Sequence, residues 1–249
     1  MKFLAALFFL LLVAPPSAAA EEWRALAENG VAGQDQVREE LQAVTPSPDP
    51  AWAWLIEQLA ADGLDRKQLE ALFSRPEVRF DPASMGKKLR TLYKTKYLPR
   101  TAPPAGPAKS IWETWLTPEH RAEIAAFMKT NAKALAEAEK RYGLPRQVVT
   151  AILTVETKLG KYCGERPALT VLASMAATRD YEVVAGYLEE FSPTAAQLDW
   201  LKMRQEQKAD WAYEELKAFL EHSWANRVDP VVVPGPIYGA IGRCQFMPT

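Results

Sequence analysis

Glu156 is the residue of this chain whose type and position most clearly suggest chemistry. It lies in the stretch RYGLPRQVVTAILTVETKLGKYCG, residues 141–164. Gly143 suits the end of a preceding helix, Pro145 suits the first turn of the next, and Gly160 can end it. On a helix with about 100° per residue, Glu156 falls inside the arc that the apolar side chains occupy. The pattern therefore predicts a carboxyl group on the buried face of this helix.

A buried carboxyl group suggests two interpretations, and the helix alone leaves both open. A carboxyl group that loses its water either finds a partner or favours its protonated form. Glu156 is then either a glutamate satisfied by an arginine or backbone donors, or an acid that donates a proton. Such a donor is the minimum needed to break a glycosidic bond, because the leaving oxygen must be protonated as the bond weakens. Carbohydrate is therefore the leading substrate class.

The rest of the composition argues against several other kinds of chemistry. The two histidines, His120 and His222, lie far apart and belong to no metal-binding motif or serine triad. No glycine-rich phosphate-binding motif is present, so neither a metal nor a nucleotide cofactor is expected. The chain has 30 basic and 31 acidic residues without a long basic block, which makes nucleic acid a poor candidate partner.

The first twenty residues have the composition of a secretory signal peptide. Lys2 supplies a positive charge, residues 3–13 form an apolar run, and small residues precede Glu21. No later segment approaches the roughly 18 uninterrupted apolar residues that suggest a membrane span. We expect an exported, soluble, periplasmic protein.

Cys163 and Cys244 are the only cysteines of the chain. Export to an oxidising compartment would permit a disulfide bond between them. Two free thiols are the alternative, and the sequence leaves the choice open.

Helical periodicity dominates after the signal peptide and predicts a mostly α protein. Proline-rich segments at 45–50 and 99–107 separate a helical block at 51–75 from the chain that follows. We predict a helical N-terminal module over residues 21–98, a linker over 99–110 and a main domain over 111–249. The helices predicted for the main domain are 117–141, 145–160, 167–177, 181–190, 193–206 and 208–224, before an extended or looped stretch at 229–236.

Three linked motifs carry a resemblance to a known family. RYGLP at 141–145 is followed by VETKLG, which contains Glu156, and later by GAIGRCQFMPT at 239–249. In these motifs the sequence resembles the membrane-bound lytic murein transglycosylase B family, and the resemblance runs from about Trp115 to Thr249. It implies a lysozyme-like, mostly α catalytic domain.

The resemblance also implies a reaction. Enzymes of this family cleave the β-1,4 bond between N-acetylmuramic acid and N-acetylglucosamine in peptidoglycan without adding water. By that likeness, Glu156 protonates the leaving oxygen and then, as a carboxylate, takes the proton of the muramoyl 6-hydroxyl, which leaves a 1,6-anhydro sugar. The substrate-binding positions that carry over are Tyr238, Lys208, Trp211, Gln245 and Phe246. Peptidoglycan strands are the expected partner, beside proteins of cell-wall synthesis or remodelling.

The sequence departs from the family pattern in three places. Pro236 stands where the family usually has a serine and Tyr238 replaces a small residue, so a partner for the acid is missing. Extra residues near 181–208 interrupt the family spacing, and an arginine pair has become Gln207 and Lys208. The family domain also continues beyond the position of Thr249, so we expect its C-terminal part to be missing here. A catalytically weak peptidoglycan-binding or scaffold protein is therefore the alternative to an enzyme.

Overall fold

The protein is mostly helical, as the sequence predicts. The structure is a computed structural model and describes residues 48–99 and 116–249, so the predicted signal peptide and nearly all of the predicted linker lie outside it. Its helices are α1 (Ala53–Ala61), α2 (Arg66–Phe73), α3 (Ala83–Tyr97), α4 (Pro118–Thr130), α5 (Ala132–Tyr142), α6 (Arg146–Thr157), α7 (Ala168–Ala177), α8 (Glu182–Ala185) and α9 (Ala195–Ala225). Two short strands, β1 (Arg166–Pro167) and β2 (Pro234–Gly235), complete the set.

Helix α9 is one continuous helix of 31 residues, and the prediction of two helices over this region was wrong. No proline or glycine interrupts it between its ends. Its start is fixed by a capping box, in which the Thr194 hydroxyl accepts from the Gln197 backbone and the Gln197 side chain accepts from the Thr194 backbone. Helix α7, which agrees with its predicted bounds, is buried over nearly its whole length and packs along α9.

One large hydrophobic core joins the helices on both sides of the predicted linker. Fully buried members of this core from the two sides are Trp52, Leu89, Leu172 and Phe219. Polar contacts cross the same boundary: Arg166 forms an ion pair with Asp81, and the Asp81 backbone donates to the Ser174 hydroxyl at 3.0 Å. The domain boundary itself stays a prediction, but helices α1–α3 share their core with α7 and α9.

Helices α4, α5 and α6 enclose a second, smaller core. Its buried members are Leu135, Val149 and Leu153, and the partly buried side chains against them are Phe127, Met128, Leu159 and Cys244. The single helix predicted over 117–141 is broken at Asn131, whose side-chain amide donates to the Phe127 carbonyl at 2.9 Å. The Phe127 carbonyl accepts from both the backbone and the side chain of Asn131, and this pair of bonds stabilises Asn131 at the boundary between α4 and α5.

The stretch at 229–236 is looped and extended, in agreement with its prolines. A single 3-10 turn over Pro230–Val232 leads into β2, which pairs antiparallel with β1 so that Gly235 lies opposite Arg166. Gly164 makes this approach possible, since a Cβ there would lie 2.1 Å from the Gly235 carbonyl carbon. Its φ of +110° is also a conformation that other residues rarely adopt. No strand is predicted here, because two residues are too few to show alternation.

Two other helices differ from the prediction: α3 was not predicted, and the helix predicted at 181–190 is shorter in the structure. Helix α3 lies beyond the predicted block at 51–75. The predicted helix at 181–190 is only the four-residue α8, followed by Gly186 and a 3-10 turn at Glu189–Phe191.

The contact between α3 and the ring of Tyr187 gives a stability prediction. A Cβ at Gly86 would lie 2.4 Å from two carbon atoms of that ring. Gly86→Ala is expected to strain the packing by about 1–3 kcal/mol, against the roughly 1 kcal/mol that alanine gains from helix propensity. At Gly186 a Cβ meets only Glu189 Oε1 at 3.9 Å, so Gly186→Ala serves as control. In chemical denaturation Gly86→Ala should be the less stable variant, and equal midpoints would contradict this packing.

Candidate active site

The structure corrects the predicted burial of Glu156. Helix α6 buries Val149, Thr150, Leu153 and Thr157. Glu156, one residue before the end of the helix, is exposed. Two apolar side chains of the same helix, Val148 and Val155, also face outward, with exposed fractions of 43% and 57%. The acid therefore lies on an outer, partly apolar face of α6.

Threonine hydroxyls explain why the helical pattern misplaced this face. The Thr150 hydroxyl donates to the Arg146 carbonyl at 2.8 Å, and the Thr154 hydroxyl donates to the Thr150 carbonyl at 2.7 Å. A threonine bonded in this way has no unsatisfied polar group and can face a core. The helix is consequently rotated by about 90° from the orientation that the apolar residues alone predict.

The chain turns sharply directly after Glu156. Lys158, Leu159 and Gly160 all have a positive φ, of 51°, 64° and 85°. Such a run is costly for residues other than glycine and needs support from its surroundings. The side chain of Arg243 covers the turn, since a Cβ at Gly160 would lie 2.8 Å from Arg243 Nε. The loop of residues 242–246 thus packs against this turn through Arg243.

Thr157 connects the helix of Glu156 to that loop. Its buried hydroxyl lies 2.7 Å from the Arg243 carbonyl oxygen and 3.3 Å from that of Leu153, and it accepts from the Gly160 backbone at 3.0 Å. Because a hydroxyl donates one proton, the shorter contact to Arg243 is the principal bond. Sequence reasoning missed this residue, since nothing in the local pattern pairs position 157 with position 243.

The Cys244 thiol lies within the electrostatic reach of Glu156. Burial, and then the negative charge of Glu156, raise the pKa of this thiol, while Arg243 opposes the change. Cys244 also packs against the small core of α4, α5 and α6. Together with the bond of 2.7 Å between the Thr157 hydroxyl and the Arg243 carbonyl, this interaction places Glu156 and Cys244 at one corner of the molecule.

Both cysteines are free thiols in the structure. Of the two alternatives that the sequence leaves open, the structure has the unpaired one. Burial raises the pKa of Cys163 as well, and Arg243 lowers it. The Cys163 thiol lies 3.7 Å from the Gly160 carbonyl oxygen, as a weak donor.

Gln245 and Phe246 belong to a tight loop beside this corner. The Gln245 amide nitrogen donates to the Gly242 carbonyl at 2.8 Å and to the Cys163 carbonyl at 3.3 Å, which fixes the side chain. Ile241 and Phe246 close the loop through a backbone bond of 2.9 Å, and Phe246 has 40% of its surface exposed. The loop therefore holds Gln245 in place and presents an aromatic ring at the surface.

Tyr238, Lys208 and Trp211 form a second group of predicted site residues. Tyr238 contacts α3: its hydroxyl lies 3.4 Å from Thr91 Oγ1, and Lys88 Nζ lies 3.9 Å from the ring centroid. On α9, Lys208 Nζ lies 4.9 Å from the centroid of the Trp211 ring. Within residues 48–99 and 116–249, no hydrogen bond or ion pair joins this group to Glu156.

Glu215 links the C-terminal motif to α9. This buried carboxylate accepts from the Thr249 backbone and from the Thr249 hydroxyl, both at 2.9 Å. Sequence reasoning missed it too, because one glutamate on a long helix gives no signal of burial. The end of the C-terminal motif is therefore fixed to α9 at Glu215, four residues after Trp211 and seven after Lys208 on the same helix.

Two further observations concern metals and membranes. In the described part of the chain, no three side chains of His, Cys, Asp or Glu are arranged to hold a metal ion. None of the helices described combines the length and the apolar character needed to cross a membrane.

Comparison with known sequences decides the family. A sequence model of the family described as Transglycosylase SLT domain matches residues 47–249. The chain belongs to this family. Membrane-bound lytic murein transglycosylase B of Escherichia coli strain K12 is 26% identical over 191 residues, which make up 75% of this chain and 44% of that protein.

Solved structures with the same fold include lytic transglycosylases. Soluble lytic transglycosylase SltB1 from Pseudomonas aeruginosa has a TM-score of 0.55 at 24% identity, covering 80% of this chain and 55% of its own. The Escherichia coli lytic transglycosylase Slt35 in complex with bulgecin A has a TM-score of 0.54 at 22% identity, covering 83% and 56%. SltB3 from Pseudomonas aeruginosa in complex with NAG-NAM-pentapeptide has a TM-score of 0.53 at 21% identity, covering 79% and 42%.

These likenesses confirm the predicted lysozyme-like, mostly helical fold. The chain spans about half the length of the relatives it matches. For this Transglycosylase SLT domain, the roles of Glu156, Gln245, Phe246, Tyr238, Lys208 and Trp211 stay predictions.

Loss of the Thr157 hydroxyl should loosen the corner of this Transglycosylase SLT domain. Thr157→Val leaves the Arg243 carbonyl without its buried partner, which costs about 1–3 kcal/mol for such a group, whereas the Gly160 amide keeps its bond to the Thr157 carbonyl at 3.1 Å. Thr154→Val removes only a bond within the helix and is the matched control. Free energies of unfolding from urea titrations should show the larger loss for Thr157→Val, and similar losses would contradict the link.

The reactivity of Cys244 reports on its distance from Glu156. Glu156→Gln removes a negative charge that disfavours the thiolate, so the pKa of Cys244 should fall and alkylation should become faster at a fixed pH near 8. The measurement is the pH dependence of alkylation in a Cys163→Ser background. Glu156 does not contribute to the raised pKa of Cys163, so Cys163 in a Cys244→Ser background is the control. An unchanged Cys244 profile would contradict the shared corner.

Proposed function

We propose that the protein is an exported lytic transglycosylase that cleaves the β-1,4 bond between N-acetylmuramic acid and N-acetylglucosamine in peptidoglycan. The observation that carries the proposal is the position of Glu156 directly before Thr157, whose hydroxyl bonds to the Arg243 carbonyl at 2.7 Å and so joins this helix end to the loop of residues 242–246. Membership of the Transglycosylase SLT domain family supports the same reaction class. Export follows from the signal peptide predicted over residues 1–20, and the periplasm is the expected compartment.

The reaction needs one carboxyl group that changes its protonation state. Protonated Glu156 gives its proton to the glycosidic oxygen as the bond to the anomeric carbon breaks. The Glu156 carboxylate then takes the proton of the muramoyl 6-hydroxyl, whose oxygen closes onto the anomeric carbon. The products are a 1,6-anhydromuramoyl end and a free N-acetylglucosamine end, and no water is consumed. A second carboxylate is not required, in contrast to the acid pairs of most glycoside hydrolases.

The exposure of Glu156 in the free protein is compatible with this role. Its neighbours on the outer face of α6 include Val155, and Phe246 lies exposed on the adjacent motif. A glycan placed over this partly apolar corner removes water from the carboxyl group, and loss of water favours the protonated form. The sequence pattern predicts that the protein core removes water from the Glu156 carboxyl group. In this proposal the bound substrate removes it instead.

The second candidate is a catalytically weak peptidoglycan-binding or scaffold protein. The observation that favours it is the loop at 235–239. Pro236 has no side-chain hydroxyl to bond to the acid, and Tyr238 is engaged with Thr91 and Lys88 on α3. In this case the protein binds glycan strands without cleaving them.

The products released from purified sacculi distinguish the two candidates. Wild-type protein should release 1,6-anhydromuramoyl fragments, identified by mass. In Glu156→Gln their rate of release should fall by about 10²–10⁴, the usual contribution of a general acid or base. Glu137→Gln changes an exposed carboxylate on α5 and should retain wild-type activity.

Two outcomes contradict the proposed reaction. Binding of sacculi by the wild type without any product supports the scaffold protein. Muropeptides with reducing ends in place of anhydro ends identify a hydrolytic muramidase.

A further inference from the structure

Cys163 and Cys244 lie beside the same turn of the chain. The Cys163 thiol lies 3.7 Å from the carbonyl oxygen of Gly160, the last residue of the turn at 158–160. Cys244 packs against the small core of α4, α5 and α6, and so does Leu159 of the same turn. Two cysteines that are far apart in sequence therefore meet the chain at the end of α6.

The segment that carries Cys244 contacts the segment that carries Cys163 on both sides of the thiol. Before Cys244, the side chain of Arg243 packs against Gly160, where a Cβ would lie 2.8 Å from Arg243 Nε. After it, the Gln245 side-chain amide donates to the Cys163 carbonyl at 3.3 Å. These contacts involve the residue before and the residue after Cys244, so the two cysteines belong to one packed corner.

The same guanidinium group acts on both thiols. Burial raises the pKa of each thiol, and the positive charge of Arg243 opposes that rise in both. A cation close to a thiol favours the thiolate, which is the nucleophile in thiol–disulfide exchange. The negative charge of Glu156 adds to the raised pKa of Cys244 but not to that of Cys163. Cys163 is therefore the expected first nucleophile of the pair.

We propose that Cys163 and Cys244 form a dithiol site that closes to an intramolecular disulfide and so clamps the end of α6 to the loop of residues 242–246. The structure has this site in its reduced form, with both thiols free and partly buried. Closure brings the two Cα atoms to about 4.4–6.8 Å, the separation that disulfide bonds require. The site goes beyond the proposed function, since it depends on contacts of the fold and on no step of glycan cleavage.

The oxidant is a compound that itself contains a disulfide bond. The Cys163 thiolate attacks one sulfur of that bond, which breaks, and a mixed disulfide forms as the first thiolate leaves. The Cys244 thiolate then attacks the Cys163 sulfur, forms the Cys163–Cys244 bond and releases the second thiolate. The two protons lost by the cysteines are taken up by the two released thiolates. The cysteine sulfurs lose two electrons, and the sulfurs of the oxidant gain them.

The first experiment asks whether the bond forms in the folded protein. Reduced wild-type protein is incubated in glutathione buffers of increasing oxidised fraction, remaining thiols are alkylated, and the intact mass is measured. The expected product has lost two hydrogen atoms, carries no glutathione and takes up no alkylating agent. These are the only cysteines of the chain, so this mass identifies one pairing.

Single variants separate the two steps of the exchange. Cys163→Ser and Cys244→Ser each keep one thiol, so both should stop at the mixed disulfide with glutathione. That species should form faster in Cys244→Ser, which keeps Cys163, because the charge of Glu156 disfavours the Cys244 thiolate.

The second experiment measures the clamp by comparing oxidised with reduced wild-type protein. A bond between distant positions restricts the unfolded chain, so the thermal midpoint should rise by about 5 °C or more on oxidation. Backbone amides at 158–163 and 242–246 should exchange hydrogen more slowly in the oxidised protein. The double variant Cys163→Ser/Cys244→Ser in the same buffers is the control and should show neither change. The wild-type comparison needs no substitution, so a folding defect in a variant does not affect it.

Several results would overturn the dithiol site. Wild-type protein that carries glutathione on both thiols, or that forms a disulfide-linked dimer, has cysteines that do not meet. A bond that forms only in urea belongs to the unfolded chain. A bond that changes neither the thermal midpoint nor the hydrogen exchange rejects the clamp. None of these results depends on whether the protein cleaves sacculi, so this inference and the proposed function fail separately.

Discussion

The hydrogen bond between the Thr157 hydroxyl and the Arg243 carbonyl is the contact on which the candidate site most depends. It joins positions 86 residues apart in sequence, and it lies between the residue after Glu156 and the residue before Cys244. On one side is the small core of α4, α5 and α6, and on the other is the loop that follows the large core. A rigid corner requires that both sides be fixed at one point, and a buried, fully bonded hydroxyl does this better than an apolar contact, because it has a direction.

The sequence predicted the fold class and the position of α7, and its limits elsewhere have identifiable causes. At Asn131, where α4 ends, the side-chain amide bonds to the Phe127 carbonyl in addition to the backbone, and hydrophobic periodicity does not record such a bond. Helix α9 continues through 206–208, where the prediction separated two helices. Tertiary packing decides whether two helical patterns join, and the sequence pattern does not record it. The prediction that Glu156 lies on the buried face of its helix was wrong, since its side chain is exposed. Thr150 and Thr157 took the inner positions, since hydroxyls that bond to the preceding turn are acceptable in a core.

This correction changes how a single acid can be tuned on such a helix. A carboxyl group that the fold itself buries is desolvated permanently and adds its cost to folding. An exposed one on a partly apolar face adds no such cost and loses its water only when a ligand covers it. Val155, which is exposed and adjacent to Glu156 in the chain, then has a purpose that core packing does not give it, because an apolar neighbour helps a bound glycan to exclude water from the carboxyl group. Under the proposed function, protonation of the acid is coupled to substrate binding.

The N-terminal helices contribute more than a support for the main domain. Their apolar side chains are continuous with those of α7 and α9, so that α3 cannot move independently of α9 without breaking the core. Lys88 and Thr91 of α3 contact Tyr238 in the loop at 235–239. A large ring at that position needs a neighbour to pack against, and α3 provides it. Tyr238 and Lys88 therefore belong to one packing arrangement: the Lys88 ammonium group lies 3.9 Å from the ring centroid, and burial, followed by the charges of Lys208 and Arg204, lowers the pKa of Lys88.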